Sequence, residues 1–231
     1  MFHRSMKVGS IGIVAALGLV CGDAFADVVN GDFSSPTVAA GTFTDFTNGS
    51  AIGTGAWTAR GVGVSVVSGS FQQNGIAFVS PTGTAGQWLD LTGFNANNST
   101  DGVTQSIATV AGGSYQLTFS VGSVFNPGGI FGTSSTVNLQ INGAADGAFT
   151  NSCTTCTTTQ GWQQFTVDFT ATGPSTSLGF FNGDPATDND NGLGSIHVVQ
   201  VGTLATPEPA AYALLAAGLG ILGVLARRRK A

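Results

Sequence analysis

Alternation between apolar and polar residues along the middle of the chain limits the folds that are open to it. In residues 115–121, 137–141 and 165–169, every second side chain is apolar and the side chains between them are polar. Because successive side chains of a strand point to opposite faces, this period predicts strands with one buried face and one exposed face. Six more strands are predicted over residues 62–67, 76–80, 87–91, 103–109, 175–181 and 195–201.

Short segments that contain glycine or asparagine separate the predicted strands. Asn74-Gly75, residues 111–113 and Asn142-Gly143 are typical of tight turns. We predict no amphipathic helix of ordinary length within residues 27–205. About nine short strands with such turns favour an all-β fold, an antiparallel β-sandwich or jelly roll, for this central domain.

The N-terminus has the pattern of a secretory signal. Basic side chains precede an almost uninterrupted apolar run over residues 8–20, and Ala24 and Ala26 then place small residues where a signal peptidase reads them. We therefore predict a signal peptide over residues 1–26, cleaved after Ala26. The alternative is a buried helix of the folded domain.

The C-terminus combines a proline-flanked glutamate, an apolar run and a basic end. A Pro-Glu-Pro triplet at residues 207–209 precedes the uncharged residues 210–226, and residues 227–230 are all basic. An α-helix over the apolar run would rise about 25 Å, near the thickness of a bilayer core. We predict a single transmembrane helix over residues 210–226, with the basic end in the cytoplasm and the central domain outside.

This order of elements resembles the PEP-CTERM sorting signal. The matching residues are Pro207, Glu208 and Pro209 in the triplet and Arg227, Arg228 and Arg229 in the basic end. The resemblance, which covers residues 206–231, implies recognition by an exosortase, a membrane-embedded cysteine transpeptidase that would remove the tail. It also implies a Gram-negative host that produces exopolysaccharide. The alternative is an ordinary membrane anchor that is never processed.

The central domain is strongly acidic. Arg60 is its only Lys or Arg, and ten aspartates leave it with a formal charge near −9. Phosphate binding needs clustered Lys or Arg, so a nucleic-acid partner is excluded. Low charge with much Gly, Thr, Ser and Asn is typical of extracellular β-proteins, whether or not they bind a ligand.

Two cysteines, Cys153 and Cys156, remain once the signal peptide is removed. In an oxidising exterior we predict that they form a disulfide. Zinc would lack two ligands, since no second pair and no histidine lie nearby. A redox-active pair would need a helix N-terminus, and this threonine-rich segment does not have the pattern of a helix.

Several short motifs in the predicted strands follow an order found in a known family. They are residues 29–33, Trp57, residues 87–91, Gln105 with residues 113–120, and residues 162–171. This order resembles the galactose-binding-like sandwiches, including DUF642-type domains, and implies a carbohydrate-binding role. Two departures affect the transfer of ligand residues: Ser34 stands where the opening motif often has Glu, and residues 195–199 lack the acidic pair of the closing strand.

Acidic and amide side chains crowd the segment before the last predicted strand. The carboxylates are Asp184, Asp188 and Asp190, with three asparagines and a glycine among them. Oxygen ligands on a flexible loop suit Ca²⁺, so we predict a structural calcium ion that ties the last two strands together. The spacing is not that of an EF-hand, which needs an acidic twelfth ligand. The alternative is a plain loop whose side chains support turns.

The three tryptophans, Trp57, Trp88 and Trp162, and two phenylalanines are candidates for stacking on sugar rings. Trp57 belongs to the family-like motifs, and Phe125 and Phe131 flank a glycine-containing loop between strands. The alternative for each is a role in core packing or loop anchoring, which is the commoner role of large aromatic residues in a sandwich.

No catalytic set is evident in the central domain. Glutamate is absent from residues 27–205, His197 is the sole histidine there, and no Gly-x-Ser-x-Gly motif occurs. We predict an exported, non-enzymatic protein of the cell surface or extracellular matrix that associates with exopolysaccharide. The alternative is a structural or adhesive matrix protein whose partners are proteins or copies of itself.

Overall fold

The computed structural model of the chain describes residues 27–93 and 97–202. The predicted signal peptide and the predicted transmembrane helix lie outside these residues. Within them, no helix is long and apolar enough to cross a membrane.

Fourteen strands account for the regular structure of the described residues. They are β1 Phe43–Thr47, β2 Ala51–Ile52, β3 Trp57–Arg60, β4 Gly63–Ser68, β5 Phe71–Gln73, β6 Ile76–Phe78, β7 Gln87–Asp90, β8 Gly102–Ala108, β9 Ser114–Ser123, β10 Ser135–Ile141, β11 Ala144–Asn151, β12 Gly161–Thr170, β13 Ser175–Asn182 and β14 Gly192–Gly202. All of their pairings are antiparallel.

Two six-stranded sheets form the sandwich. Sheet A has the spatial order β1-β4-β7-β14-β9-β12, and sheet B has the order β11-β10-β13-β8-β3-β2. Strands β5 and β6 form a separate two-stranded hairpin. This hairpin turns at Asn74 and Gly75, which have φ angles of 51° and 77°. Positive φ at both positions is what a tight two-residue hairpin turn requires, and Asn-Gly supplies it at little cost.

The main core fills the space between the two sheets. Its largest side chains include Trp57 and Phe180 from sheet B and Tyr115 and Phe119 from sheet A, all fully buried. Phe119 and Phe180 meet edge to face across the sandwich, with ring centroids 5.2 Å apart. Burial of each such side chain contributes roughly 1.5–3 kcal/mol, so the alternating apolar residues of the strands hold the two sheets together.

A second, smaller core lies on the outer face of sheet A, under the β5–β6 hairpin. Its buried members are Val67, Ile76, Phe78, Trp88, Val124 and Phe131. Sheet A is therefore apolar on both faces near its middle, although one face of a sandwich sheet usually meets solvent. The outer apolar area is covered by the hairpin and by the loop that follows β9.

The structure confirms the predicted fold class, an all-β antiparallel sandwich. All nine predicted segments coincide with strands, and five further strands were not predicted: β1, β2, β3, β5 and β11. Strand β11 lacks the alternation because it is an edge strand, and most of its side chains are exposed on both faces. Strands β2, β3 and β5 have only two to four residues each, too few for a period to show.

Candidate functional site

A cleft of about 390 Å³ opens between the outer face of sheet A, the β5–β6 hairpin and the loops that follow β9 and β13. Five aromatic side chains line it: Phe43, Phe71, Phe78, Trp88 and Phe131. Its polar side chains are Ser65, Gln73, Asp90, Asn97 and Asn189. The cleft therefore combines apolar walls with several hydrogen-bonding groups, which is the usual composition of a small-molecule site.

The pairing of β4 with β7 forms the floor of the cleft. Ser65 lies opposite Asp90 and Val67 lies opposite Trp88, all four on the outer face of sheet A. The residues between them, such as Leu89, point into the main core. Because successive side chains of a strand point to opposite faces, Trp88 and Asp90 of β7 line the cleft while Leu89 packs in the main core.

The aromatic side chains of the cleft contact one another. Phe78 packs edge to face on Phe131 at 5.0 Å and lies parallel to Trp88 at 6.2 Å between ring centroids. Phe43 and Phe71 meet edge to face at 5.6 Å. Phe78, Trp88 and Phe131 are buried and form the base, whereas Phe43 and Phe71 are half-buried at the rim.

The indole N–H of Trp88 is buried and has no hydrogen-bond partner among the described residues. A buried donor without an acceptor costs about 1–3 kcal/mol, so a ligand oxygen or a water that reached it would be stabilising.

Two glycines beside Asp90 leave room for the side chains of Gln160 and Trp162 against sheet A. Gly192 is the register partner of both Asp90 and Gly122. A Cβ atom at Gly122 would overlap Nε2 of Gln160 and stand 2.8 Å from a ring carbon of Trp162. One at Gly192 would stand 2.5 Å and 2.9 Å from the same two atoms, so a larger residue at either position would displace both side chains. The indole N–H of Trp162 donates to the carbonyl oxygen of Val79 at 2.8 Å, which ties the end of the hairpin to β12.

Of the described residues that line the cleft, Asp90 alone carries a carboxylate. Its Oδ1 accepts hydrogen bonds from the backbone N–H of Thr92 at 2.9 Å and from the Thr92 hydroxyl at 2.7 Å. Burial raises the pKa of Asp90 to about 6, and the bonds from Thr92 partly oppose that rise. The side chain is thus ionised at about pH 7, with its charge at the floor of the cleft.

The three aspartates of the predicted calcium loop lie buried near Asp90. Oδ1 of Asp184 accepts from the backbone N–H of Thr136 at 2.6 Å, and Oδ2 of Asp190 accepts from that of Val124 at 2.9 Å. Oδ2 of Asp184 and Oδ1 of Asp190 are buried and have no hydrogen-bond partner within residues 27–93 and 97–202. Burial, followed by repulsion from neighbouring aspartates, raises the pKa of Asp184 to about 8 and that of Asp190 well above its usual range. Burial likewise raises the pKa of Asp188 to about 7.

These carboxylates can share protons or attract a cation. In the ranges that the structure describes, no three carboxylate, imidazole or thiol side chains surround a common metal position. The two buried oxygens without partners are the feature that fits a cation. Calcium binding by Asp184, Asp188 and Asp190 stays a prediction.

The aromatic candidates from the sequence fall in three different places. Phe131 lines the cleft, as a member of its buried base. Phe125 is half-buried outside the lining, and its backbone N–H donates to the carbonyl oxygen of Cys156 at 2.8 Å. Trp57 belongs to the main core, not to a binding surface: it has no exposed area, and its indole N–H donates to the carbonyl oxygen of Asn30 at 3.0 Å.

Cys153 and Cys156 are joined in a disulfide. Their loop supports the wall of the cleft, because the backbone N–H of Ala77 in β6 donates to the carbonyl oxygen of Thr158 at 2.9 Å. The N–H of Gln160 donates in return to the carbonyl oxygen of Ala77, also at 2.9 Å. The disulfide loop and the hairpin are therefore one connected unit beside sheet A.

Sequence reasoning missed Phe43, Phe71, Phe78 and Asp90 as site residues, and it left the face of Trp88 undetermined. The spacing of Trp88 and Asp90 places them on one face of β7, and the apolar residue between them indicates that the opposite face is the buried one. This alternation could have identified Trp88 and Asp90 as neighbours on the outer face of the strand. Nothing local indicates that β5 and β6 fold over them.

Comparison with known families finds two matches. The model described as "Protein of unknown function (DUF642)" matches residues 26–196, and the model of the PEP-CTERM protein-sorting motif matches residues 205–230. Both resemblances drawn from the sequence are confirmed. The sorting motif indicates an exported protein that an exosortase processes. No curated protein matches the chain.

Solved structures share the fold at low sequence identity. A cyclase from Fischerella sp. TAU superposes with a TM-score of 0.50 at 15% identity, over 78% of this chain and 98% of the cyclase. The CBM22-1 xylan-binding domain of Paenibacillus barcinonensis Xyn10C has a TM-score of 0.41 at 17% identity, over 72% of this chain and 99% of that domain. The EclA C-terminal domain, a sugar-binding protein, has a TM-score of 0.33 at 16% identity, over 41% of this chain and 64% of that domain. At 15% identity the likeness to the cyclase shows the fold alone.

Proposed function

The chain belongs to the DUF642 family, and from that premise we propose that it is an exported, non-enzymatic surface protein whose sandwich binds polysaccharide of the extracellular matrix. The aromatic cleft on sheet A is the observation that carries this proposal. The apolar faces of sugar rings pack on aromatic side chains, and sugar hydroxyls bond to groups such as those of Gln73, Asn97 and Asn189.

The sorting motif supports a route to the cell surface. We propose that the signal peptide over residues 1–26 starts export and that the helix over residues 210–226 then holds the chain in the inner membrane of a Gram-negative cell. An exosortase would act next at the tail that contains the PEP-CTERM motif. The sandwich would thus reach the matrix with its cleft free for polysaccharide.

Binding without cleavage follows from the groups that the cleft offers. Glycoside hydrolysis ordinarily uses two carboxyl groups on either side of the scissile bond. Among the described residues that line the cleft, Asp90 is the only carboxylate. His197 lies exposed on β14, five residues beyond the register partner of Asp90. We therefore propose a binding role for this site.

Affinity electrophoresis tests the proposal with the full chain and with matrix polysaccharide from the producing cells. Wild-type protein should be retarded in gels that contain the polysaccharide. Phe71→Ala should weaken retardation about tenfold, because it removes an aromatic wall of the rim. Phe165→Ala is the matched control: this ring is also half-buried but lies on β12 against the main core.

Three outcomes separate the alternatives. Equal retardation of Phe71→Ala and wild type would place any binding elsewhere on the molecule. No retardation of the wild type by any polysaccharide, with or without Ca²⁺, would overturn the proposal. If light scattering then showed concentration-dependent self-association without glycan, the chain would be a structural matrix protein that binds copies of itself.

A further inference from the structure

Charge in the cleft is negative and lacks a balancing cation. Arg60 is the only Lys or Arg in the described ranges, and it lies on the outer face of sheet B, where its Nε donates to the hydroxyl of Thr104 at 2.9 Å. Asp90 has three buried aspartates nearby, and repulsion from it contributes to the raised pKa of Asp184, Asp188 and Asp190. A cationic ligand group would be attracted to this cleft, and an anionic sugar would be repelled.

Asp90 has the geometry of a ligand-binding carboxylate. Thr92 donates twice to its Oδ1, and a hydrogen bond from the backbone N–H of Asn191 also favours the charged carboxylate. The carboxylate lines the cleft, so a donor that enters the cleft can reach it. A charged donor would form a stronger bond than a hydroxyl, since charge-assisted hydrogen bonds are roughly twice as strong as neutral ones.

The aromatic walls favour the same kind of group. Phe71 and Trp88 line the cleft together with Asp90. Aromatic ring faces carry partial negative charge and attract ammonium groups, an effect that grows when the site excludes water. A carboxylate beside aromatic rings is thus complementary to an ammonium group carried on a ring that has an apolar face.

We infer that the cleft selects saccharides with a free amino group, and that Asp90 binds the ammonium while the aromatic side chains pack on the sugar ring. This inference rests on the proposed function and specifies its ligand class. Neutral sugars would bind more weakly because they lack the charge-assisted bond. Sugars with carboxylate groups would bind least.

Titration of the full chain with three oligosaccharides of equal length tests the inference. They are a glucosamine oligomer, its fully N-acetylated form and an oligogalacturonate, added at about pH 7 in a detergent that has no sugar headgroup. Trp88 lines the cleft, so its fluorescence reports binding. We expect the free-amine oligomer to bind at least about tenfold more tightly than the acetylated one, and the uronate not to bind measurably.

Asp90→Asn separates recognition by this residue from the general negative charge of the domain. The amide keeps an oxygen for the bonds from Thr92, so the fold should be retained, which circular dichroism checks. Affinity for the free-amine oligomer should fall about tenfold, and affinity for the acetylated one should change less than about twofold. Asp146→Asn is the matched control, because Asp146 is exposed on β11 of the other sheet, and it should leave both affinities unchanged.

Equal affinity for the free-amine and acetylated oligomers would overturn the inference, and so would an Asp90→Asn variant that binds both as wild type does. If Asp90→Asn does not fold, the comparison of the free-amine and acetylated oligomers on the wild-type protein still tests the inference. If matrix polysaccharide binds and the amino sugar does not, only this inference fails. If neither binds, the proposed function fails as well.

Discussion

Four aspartates that lie close together bind protons more tightly than free aspartate does. Asp184, Asp188 and Asp190 are buried, and Asp90 is half-buried in the cleft beside them. Removal from water disfavours the charged carboxylate, and mutual repulsion adds to that effect. The group therefore holds protons at a pH where free aspartate would be fully ionised.

Stability should consequently fall as the pH rises. An acid with a raised pKa binds its proton more tightly when the protein is folded, so its contribution is complete below the unfolded pKa, near 4, and is lost as the pH rises through the folded value. That value is about 7 for Asp188 and about 8 for Asp184. We expect Tm in EDTA to drop by about 5 °C or more between about pH 5 and about pH 8.5, measured by circular dichroism.

Asp184→Asn should reduce this pH dependence, whereas the exposed Asp146→Asn should not; a Tm that rises over the same interval would contradict the assignment. The same experiment tests the calcium prediction. Ca²⁺ favours charged carboxylates, so it should raise Tm more at about pH 8.5 than at about pH 5. Identical melting curves in Ca²⁺ and EDTA at both pH values would exclude calcium and leave the pH dependence standing.

At the scale of strands, the sequence predicts the sandwich better than it predicts the cleft. The alternation in residues 115–121 and 165–169 comes from strands with one face on the core, and those strands pair along their whole length. By contrast, β7 pairs with β4, which shares the floor of the cleft, and with β14 through long-range contacts that no local period reveals. Trp88 and Asp90 therefore lie on a predicted strand, although their shared site was not predicted.

Trp57 shows that the sequence can also suggest a binding residue that the structure places in the main core. Trp57 lies in a family-like motif, which made it a binding candidate, yet it belongs to a four-residue strand whose burial follows from pairing with β8. Its indole packs between Phe33 and Phe180 at centroid distances of 5.8 Å and 6.0 Å. A tryptophan is expected to bury a large area, but whether it packs in the core or against a ligand depends on how the two sheets assemble.

The β5–β6 hairpin and the disulfide loop form an element whose stability should be separable from that of the sandwich. Changing Cys153 and Cys156 together to Ser removes a small ring, so global stability should fall by at most about 2 kcal/mol. The bonds between Ala77 and residues 158 and 160 should open more often. Hydrogen exchange is therefore expected to speed up about tenfold at Ala77 while the amides of β9 stay protected.

Loss of protection in β9 as well would mean that the disulfide stabilises the whole domain. The matched variant is Ser152→Ala with Thr154→Ala, which alters two exposed side chains of the same loop and keeps the disulfide. It should exchange as the wild type does. The double cysteine variant should also bind polysaccharide more weakly, since the hairpin carries Phe71 and Phe78 into the cleft.

At the scale of the whole molecule, positive charge is concentrated at the two ends. Six of the seven Lys and Arg residues lie in residues 1–26 and 206–231, and the domain between them carries a formal charge near −9. Removal of both ends would leave an acidic sandwich that repels anionic polymers, and the ligand class inferred for the cleft agrees with that charge.

The PEP-CTERM motif makes the fate of the tail measurable. We expect the mature cell-associated chain to end near Thr206, because an exosortase that recognises the triplet would remove the apolar run and the basic end together. Changing Pro207 and Pro209 to Ala should abolish that removal. Intact-mass measurement would then find a chain that still ends at Ala231, and the protein would stay in the inner-membrane fraction.

The matched variant changes Pro127 and Pro174, two exposed loop prolines of the sandwich, to Ala, and its tail should be removed as in the wild type. If wild type and the Pro207 and Pro209 variant both ended at Ala231, the tail would be a permanent anchor and the sandwich would act at the membrane surface. A wild-type chain that loses its tail also loses four positive charges, since residues 227–230 are all basic. Mobility toward the anode in a native gel should therefore increase together with the loss of mass, because the two measurements report the same cleavage.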